Sequence, residues 1–204
     1  MNIIHFIAMG ISLVAIVGPF NIELINRGIK GGIYPALCMG MGGIIANIFC
    51  LLIIYSGFSS WMQNQVTEIL FFTVGAILLL FLGFMSLNPG LPNSQSSPAL
   101  VSSFTAGFLL VFANPINFMA WYSTFSQASN SLFVENPPSA IFIYCFFIIA
   151  GGILWMINLT LAVYFIREKM NIRHRKLFSF IAGIMLLWFS SEYLRRIAEM
   201  TWNW

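Results

Sequence analysis

Residues 17–23 read Val-Gly-Pro-Phe-Asn-Ile-Glu, and they lie inside an apolar run, 3–26, that is otherwise typical of a membrane-spanning helix. Proline has no amide hydrogen, so Pro19 leaves the carbonyl of Ala15 without its helical hydrogen-bond partner. In hydrocarbon an unpaired carbonyl destabilises the fold by roughly several kcal/mol unless it accepts a hydrogen bond from protein, water or a ligand. Glu23 follows one helical turn later. The stretch therefore predicts a broken helix with a carboxylate beside the break.

The composition of the chain is that of an integral membrane protein. Of 204 residues, 59% are hydrophobic and 7% are charged, and the mean hydropathy is +0.89. A span needs about 20 apolar residues, which leaves almost no extramembrane domain and predicts that function lies within the bilayer. Polar breaks and Pro/Gly clusters predict six transmembrane helices, at 3–26, 34–57, 67–87, 101–127, 139–166 and 177–197.

Several function classes are disfavoured by what the chain contains. Nine Lys and Arg are too few and too scattered for a nucleic-acid surface. The sequence has no Walker loop, no His/Glu zinc pattern and no Asp for a Ser/His/Asp set, so we expect neither an enzyme nor a cofactor or metal site. The three cysteines have no paired spacing and are expected to pack as buried thiols. The first apolar stretch lacks a basic leader and a cleavage site, so we interpret it as the first span.

The two halves of the chain share short motifs in the same order. Pro-x-Asn occurs in the first and fourth spans, with a glycine eight or nine residues before each proline, and Gly-Gly-Ile occurs in the second and fifth spans with an asparagine a few residues later. A weaker match joins the third and sixth spans. The matched positions are Gly18, Pro19 and Asn21 with Asn114, Pro115 and Asn117; Gly10 with Gly107; Gly42, Gly43 and Asn47 with Gly151, Gly152 and Asn158; and Gly75 with Gly183.

These matches predict two inverted three-helix repeats, with helices 1 and 4 broken at Gly-Pro and Asn-Pro. The repeats would cover 1–88 and 101–204, joined by an uncharged linker, 89–100, that is rich in Pro, Asn and Ser. Inverted repeats with broken corresponding helices are typical of secondary transporters, which hold their substrate near the midplane. The alternative interpretation is a pair of ordinary proline kinks stabilised by neighbouring helices.

The breaks supply the chemistry that a zwitterion needs. Pro19 and Pro115 free the carbonyls of Ala15 and Val111, which suit an ammonium group, and the restarted helices present amides that suit a carboxylate. Trp121, Tyr122 and Trp155 are candidates for the pocket wall. The predicted substrate-binding residues are Gly18, Pro19, Asn21, Asn47, Asn114, Pro115, Asn117 and Asn158.

Glu23 has two open interpretations. A carboxylate at membrane depth is expensive and usually functional, which makes Glu23 a candidate proton carrier. If the half-helix instead ends near the surface, Glu23 merely pairs with Arg27 at i+4 spacing.

The basic residues predict an orientation. Arg27 and Lys30 fall in the predicted first loop and the run REKMNIRHRK, 167–176, falls in the fifth, whereas Arg195 and Arg196 fall on the other side. The positive-inside rule then makes these loops cytoplasmic and both termini external. The basic run is interpreted as an orientation signal that contacts lipid headgroups.

At these motifs the sequence resembles the lysine exporter and homoserine/threonine exporter family (LysE/RhtB). The family pattern is similar to Val17-Gly18-Pro19, then spaced glycines, then Ala46-Asn47, then Phe104-Thr105-Ala106-Gly107 with Asn114-Pro115-Ile116. Asn47 and Asn158 stand where members carry acids, and Ile116 replaces a lysine. Glu23 would then be the substitute proton carrier.

The resemblance implies a bacterial inner-membrane exporter of amino acids or close derivatives, driven by an ion gradient. Its partners would be the lipid bilayer, a small-molecule substrate and further copies of the chain. A cation or metal exporter of the same superfamily is the nearest alternative. A scaffold subunit without transport is the second, and it predicts breaks that are packed by side chains with no cavity between them.

Overall fold

The computed structural model describes residues 3–16, 18–56, 64–87, 99–132 and 140–202. The described chain is helical throughout. Its helices are α1 (Ile3–Ala15), α2 (Pro19–Gly31), α3 (Ile33–Tyr55), α4 (Gln65–Leu87), α5 (Leu100–Phe112), α6 (Pro115–Leu132), α7 (Ala140–Lys169) and α8 (Ile172–Trp202).

Four of these helices, α3, α4, α7 and α8, are long and apolar enough to cross a membrane by themselves. The pairs α1 with α2 and α5 with α6 meet the same criterion only when each is taken together, and they are bent by 77° and 63°. The described chain thus has four to six candidate spans. Of the predicted linker, 89–100, residues 89–98 lie outside the described residues.

The first bend leads into a helix that is longer than the sequence predicted. Gly18 is extended (φ −128°, ψ 179°) and Pro19 opens α2, a position where the missing amide hydrogen costs nothing. Arg27 and Lys30 therefore lie within α2 and not in a loop, which corrects the sequence interpretation. A single residue, Gly32, joins α2 to α3 at φ +88°, a conformation that glycine adopts without a steric penalty.

The junctions between α2 and α3 and between α7 and α8 lie at the same end of the molecule, which we call the basic end. Arg167 Nε donates to the carbonyl of Ile29 at 3.0 Å. Arg175 crosses the second junction, where its Nη2 donates to the carbonyl of Arg167 and its Nε to that of Met170. Arg167 and Arg175 thus cap backbone carbonyls. This corrects the interpretation of the whole run as headgroup contacts. The helix α8 begins at Ile172, five residues before the predicted span.

The most extensive packing joins α3 to α5, α4 to α8 and α1 to α7. Between α3 and α5 the backbones touch at glycines: a methyl group on Gly42 would overlap the carbonyl oxygen of Phe104, and one on Gly107 would overlap that of Met39. Small residues allow such close approach in a membrane, where packing replaces the hydrophobic effect as the force between helices.

The contact between α1 and α7 has the same form. A methyl group on Gly10 would overlap the carbonyl oxygen of Ile148, and one on Gly151 would overlap that of Ile7. In both helix pairs, each glycine faces the carbonyl that lies three residues before the partner helix's glycine.

The α4 to α8 contact pairs Gly83 with Gly183. An ideal Cβ on Gly83 would lie 3.3 Å from the Gly183 carbonyl oxygen, and one on Gly183 would lie 3.0 Å from that of Gly83. Leu87 lies against Gly183 and Leu187 against Gly83. Gly75, which the sequence matched to Gly183, instead lies beside Tyr193. The match of Gly75 with Gly183 thus stays a prediction, since matched positions of two repeats need not touch each other.

Candidate substrate site between the two breaks

The two helix breaks line one cavity of about 220 Å³. The cavity is smaller than the roughly 300–1,000 Å³ of pockets that take drug-sized ligands, so its occupant would be a small metabolite. Most of its lining is apolar, with glycines on α3 and α7 leaving room. The polar side chains that line it belong to Asn21, Asn47, Asn114, Asn117, Trp121 and Tyr193.

Asn21 satisfies the carbonyls at the first break. Its Nδ2 donates to the carbonyl oxygens of Val14 and Ile16, both at 2.8 Å. Its Oδ1 is buried and has no hydrogen-bond partner among the described residues. Because buried polar atoms are almost always paired, this acceptor, on a residue that lines the cavity, suits a donor on a ligand.

Asn114 and Asn117 satisfy the second break. Asn114 Oδ1 accepts hydrogen bonds from the amides of Ile116 (3.0 Å) and Asn117 (3.3 Å), and so caps α6. Asn117 Nδ2 reaches back to the carbonyl of Val111 at 3.4 Å, the carbonyl that the sequence predicted to be free. Asn21 and Asn117 thus have the same role at their respective breaks.

The two restarted helices differ at their N-termini. The start of α6 is capped by Asn114, whereas α2 begins after Gly18 with no side-chain cap. Among the described residues, the amides of Phe20 and Asn21 are therefore the donors of the first turn of α2 without an acceptor, and the helix dipole there also favours negative charge. A carboxylate is best accommodated at α2.

Asn47 joins α3 to the second break. It belongs to a stripe on α3, formed by Gly40, Gly43, Ile44 and Asn47, that lines the cavity at helical spacing. Its Oδ1 accepts from Asn117 Nδ2 at 3.0 Å and from Trp121 Nε1 at 2.8 Å.

Of the three aromatic candidates for the pocket wall, only Trp121 lines the cavity. Tyr193 of α8 also lines it, and sequence reasoning missed this residue because it lies far from every motif. No sequence signal marks its position, which is set in the structure by the packing of its ring on Gly75 and Phe72.

Asn158 is not brought to the cavity, and this corrects the predicted site. It is exposed, and its Nδ2 donates to the carbonyl of Leu154 in its own helix. The reason is helical phase: Asn47 follows Gly43 by four residues, but Asn158 follows Gly152 by six, which turns it to the opposite face. Met156, four residues after Gly152, lines the cavity instead.

Glu23 lies outside the cavity in a buried polar cluster, where it pairs with Arg27 as one of the two sequence interpretations expected. Glu23 is 4% exposed and Arg27 is 7% exposed, and Arg27 Nε donates to Glu23 Oε1 at 2.8 Å. Asn26 Nδ2 donates to Glu23 Oε2 at 3.0 Å and to Ser86 Oγ of α4 at 2.9 Å. Arg27 Nη1 donates to Ser103 Oγ of α5 at 3.0 Å.

We call these residues, together with Ser102, which also accepts from Arg27, the Glu23 cluster. The cluster ties α2 to α4 and α5. Because α2 runs from the cavity at Pro19 to the basic end at Gly31, the cluster lies between the two. Within the described residues, no group of three or more His, Cys, Asp and Glu side chains is placed to hold a metal ion.

Comparisons with known proteins identify the family. No solved structure matches the chain. A Bacillus subtilis (strain 168) protein named "Putative amino acid efflux protein YcgF" is 28% identical over 198 residues, which cover 93% of each chain. The sequence profile of the LysE type translocators matches residues 11–196. The chain is a multi-pass membrane protein that belongs to the LysE type translocator family.

Proposed function

We propose that the protein exports amino acids or small amino-acid-like solutes from the cytoplasm and that the cavity between the two breaks is its substrate site. The observation that carries the proposal is that one cavity contacts both breaks. The scaffold alternative requires the breaks to be packed without a cavity. The similarity to a protein named for amino acid efflux supports the same substrate class.

The substrate would bind by its two charged ends. Its carboxylate would accept from the open amides at the start of α2, and its ammonium group would donate to Asn21 Oδ1. Asn47 and Asn117 hold the opposite wall through their mutual hydrogen bond. The proposed site comprises Gly18, Pro19, Asn21, Asn47, Asn114 and Asn117 on the cavity wall, with Pro115 as the residue that starts α6, and it omits Asn158.

The protein reconstituted in proteoliposomes should exchange a labelled neutral amino acid across the membrane. Asn117→Ala removes the bond to Asn47 and the cap on Val111, each worth about 1 kcal/mol, and should lower exchange about tenfold. Asn158→Ala, on the outward face of α7, is the matched control and should exchange at the wild-type rate. Equal rates for both variants would contradict the site. Flux of divalent cations with none of any amino acid would favour the cation-exporter alternative.

We propose that each pair of bent helices forms one broken span, giving six spans in two inverted repeats, 1–88 and 101–204. Support comes from the glycine contacts between the two halves. In these contacts α3 of the first half packs on α5 of the second, and α7 of the second half packs on α1 of the first with the same geometry. The mutual contact of Gly83 and Gly183 would then lie on the pseudo-twofold axis.

Alanine at Gly42 and alanine at Gly151 should destabilise the protein equally if the repeat is correct. Each methyl group would overlap a backbone carbonyl, so the helices must separate, at a cost of about 1–3 kcal/mol. The melting temperature in detergent should fall by roughly 3–10 °C for each variant. Gly152→Ala is the control, because its methyl group would meet only the Val14 side chain at 3.2 Å. A large loss for one variant and none for the other would argue against the repeat.

We further propose that the basic end faces the cytoplasm of a bacterial inner membrane, with both termini external. The hydrogen bond from Arg167 to the end of α2 places the basic residues near the two junctions at the same end of the molecule. The positive-inside rule assigns such a concentration of Lys and Arg to the cytoplasmic side.

Glu23 is our candidate for coupling to a proton gradient. If Glu23 took up a proton, Arg27 would lose its buried counter-charge, so protonation and release of Arg27 would be a single event. Because the Glu23 cluster joins α2 to α4 and α5, that event would free α2 on the cytoplasmic side of the cavity.

A further inference from the structure

We infer that the cavity selects amino acids whose side chains are uncharged and apolar, and that it rejects cationic and anionic ones. The inference rests on the proposed function and specifies its substrate. The described residues that line the cavity carry no ionisable acid or base other than the phenol of Tyr193. A substrate side chain therefore meets no counter-ion there.

The nearest charged side chains on α2 are already paired with each other. Both oxygens of Glu23 accept hydrogen bonds, one from Arg27 and one from Asn26, and neither Glu23 nor Arg27 lines the cavity. Bringing a lysine side chain into the cavity would bury an ammonium group without a partner, which is costly in a membrane interior. A glutamate side chain would bring a second carboxylate, whereas only α2 has an uncapped N-terminus at the cavity.

The remainder of the wall suits an aliphatic side chain. Leu13, Ile44, Leu110, Met156 and Phe189 line it and offer only carbon and sulfur surface. The polar groups are concentrated at the breaks, where the zwitterionic end would be held. A solute of the size of leucine, valine or methionine matches both the chemistry and the small volume.

Competition in proteoliposomes that contain the wild-type protein tests the inference. Exchange of labelled leucine is measured against unlabelled leucine, methionine, lysine and glutamate, the last two being similar to leucine in size. Lysine and glutamate should need at least about a hundredfold higher concentration than methionine for half-inhibition, from the cost of an unpaired charge at membrane depth. Inhibition by lysine or glutamate within tenfold of methionine would overturn the inference and leave amino acid export standing.

Labelled lysine and glutamate are run as substrates alongside leucine. Exchange of lysine or glutamate without exchange of leucine would overturn the inference alone. No exchange of any amino acid by folded protein would overturn the proposed function and the inference with it.

A gain-of-charge variant tests the same point independently. Asn47→Asp keeps an oxygen that accepts from Asn117 and Trp121 and adds a carboxylate to the cavity wall. It should improve competition by lysine at least tenfold relative to methionine. Asn158→Asp adds the same charge outside the cavity and should leave the ratio unchanged. An equal change in both variants, or no change in Asn47→Asp, would contradict the assignment.

Discussion

Glu23→Gln is expected to abolish the stimulation of transport by a pH gradient while leaving solute exchange intact. The amide cannot take up or release a proton, and like a protonated Glu23 it leaves Arg27 without its buried counter-charge, so residue 23 is fixed in the neutral state. Exchange needs only the cavity, which Glu23 does not line. The measurement compares uptake into proteoliposomes with and without an imposed gradient, and counterflow without one.

The matched control is Glu199→Gln, which removes one carboxylate from an exposed position on α8. It should respond to the gradient as the wild type does. Gradient stimulation that is unchanged in Glu23→Gln would eliminate Glu23 as the proton carrier. Loss of exchange together with stimulation would assign Glu23 a structural role only.

The coarse fold could be predicted from the sequence because its signals are local. Apolar runs long enough to span a bilayer identify α3, α4, α7 and α8, and prolines without amide hydrogens mark the starts of α2 and α6. Pro19 lines the cavity, and beside Pro115 the cavity is lined by its neighbours Asn114 and Ile116.

The errors concern which face of a helix a residue occupies. Asn47 and Asn158 follow similar glycine pairs, but a difference of two residues rotates a helical side chain by more than half a turn, and Asn158 faces outward. The sequence also suggested that Glu23 pairs with Arg27. It could not show that the pair is buried, with Arg27 bonded to Ser103 of α5 and Glu23 bonded to Asn26, which in turn contacts Ser86 of α4.

Because the Glu23–Arg27 pair is buried, Arg27→Met should be among the most destabilising single substitutions. Methionine fills most of the arginine volume but leaves the Glu23 carboxylate buried without a counter-charge. Removing one partner of a buried ion pair costs about 3–5 kcal/mol. For a chain of this length we expect the melting temperature in detergent to fall by roughly 6–20 °C.

The double variant Arg27→Met/Glu23→Gln separates the cost of the unpaired charge from the loss of the contacts themselves. With no charge left to bury, it should recover most of the stability lost by Arg27→Met, because neutral replacements of buried ion pairs are often nearly as stable as the pair. The hydroxyls of Ser102 and Ser103 lose their donor in both variants, so they do not affect the comparison. A double variant as unstable as Arg27→Met would mean that Arg27 stabilises the protein through its bonds to α5 and not by pairing with the Glu23 charge.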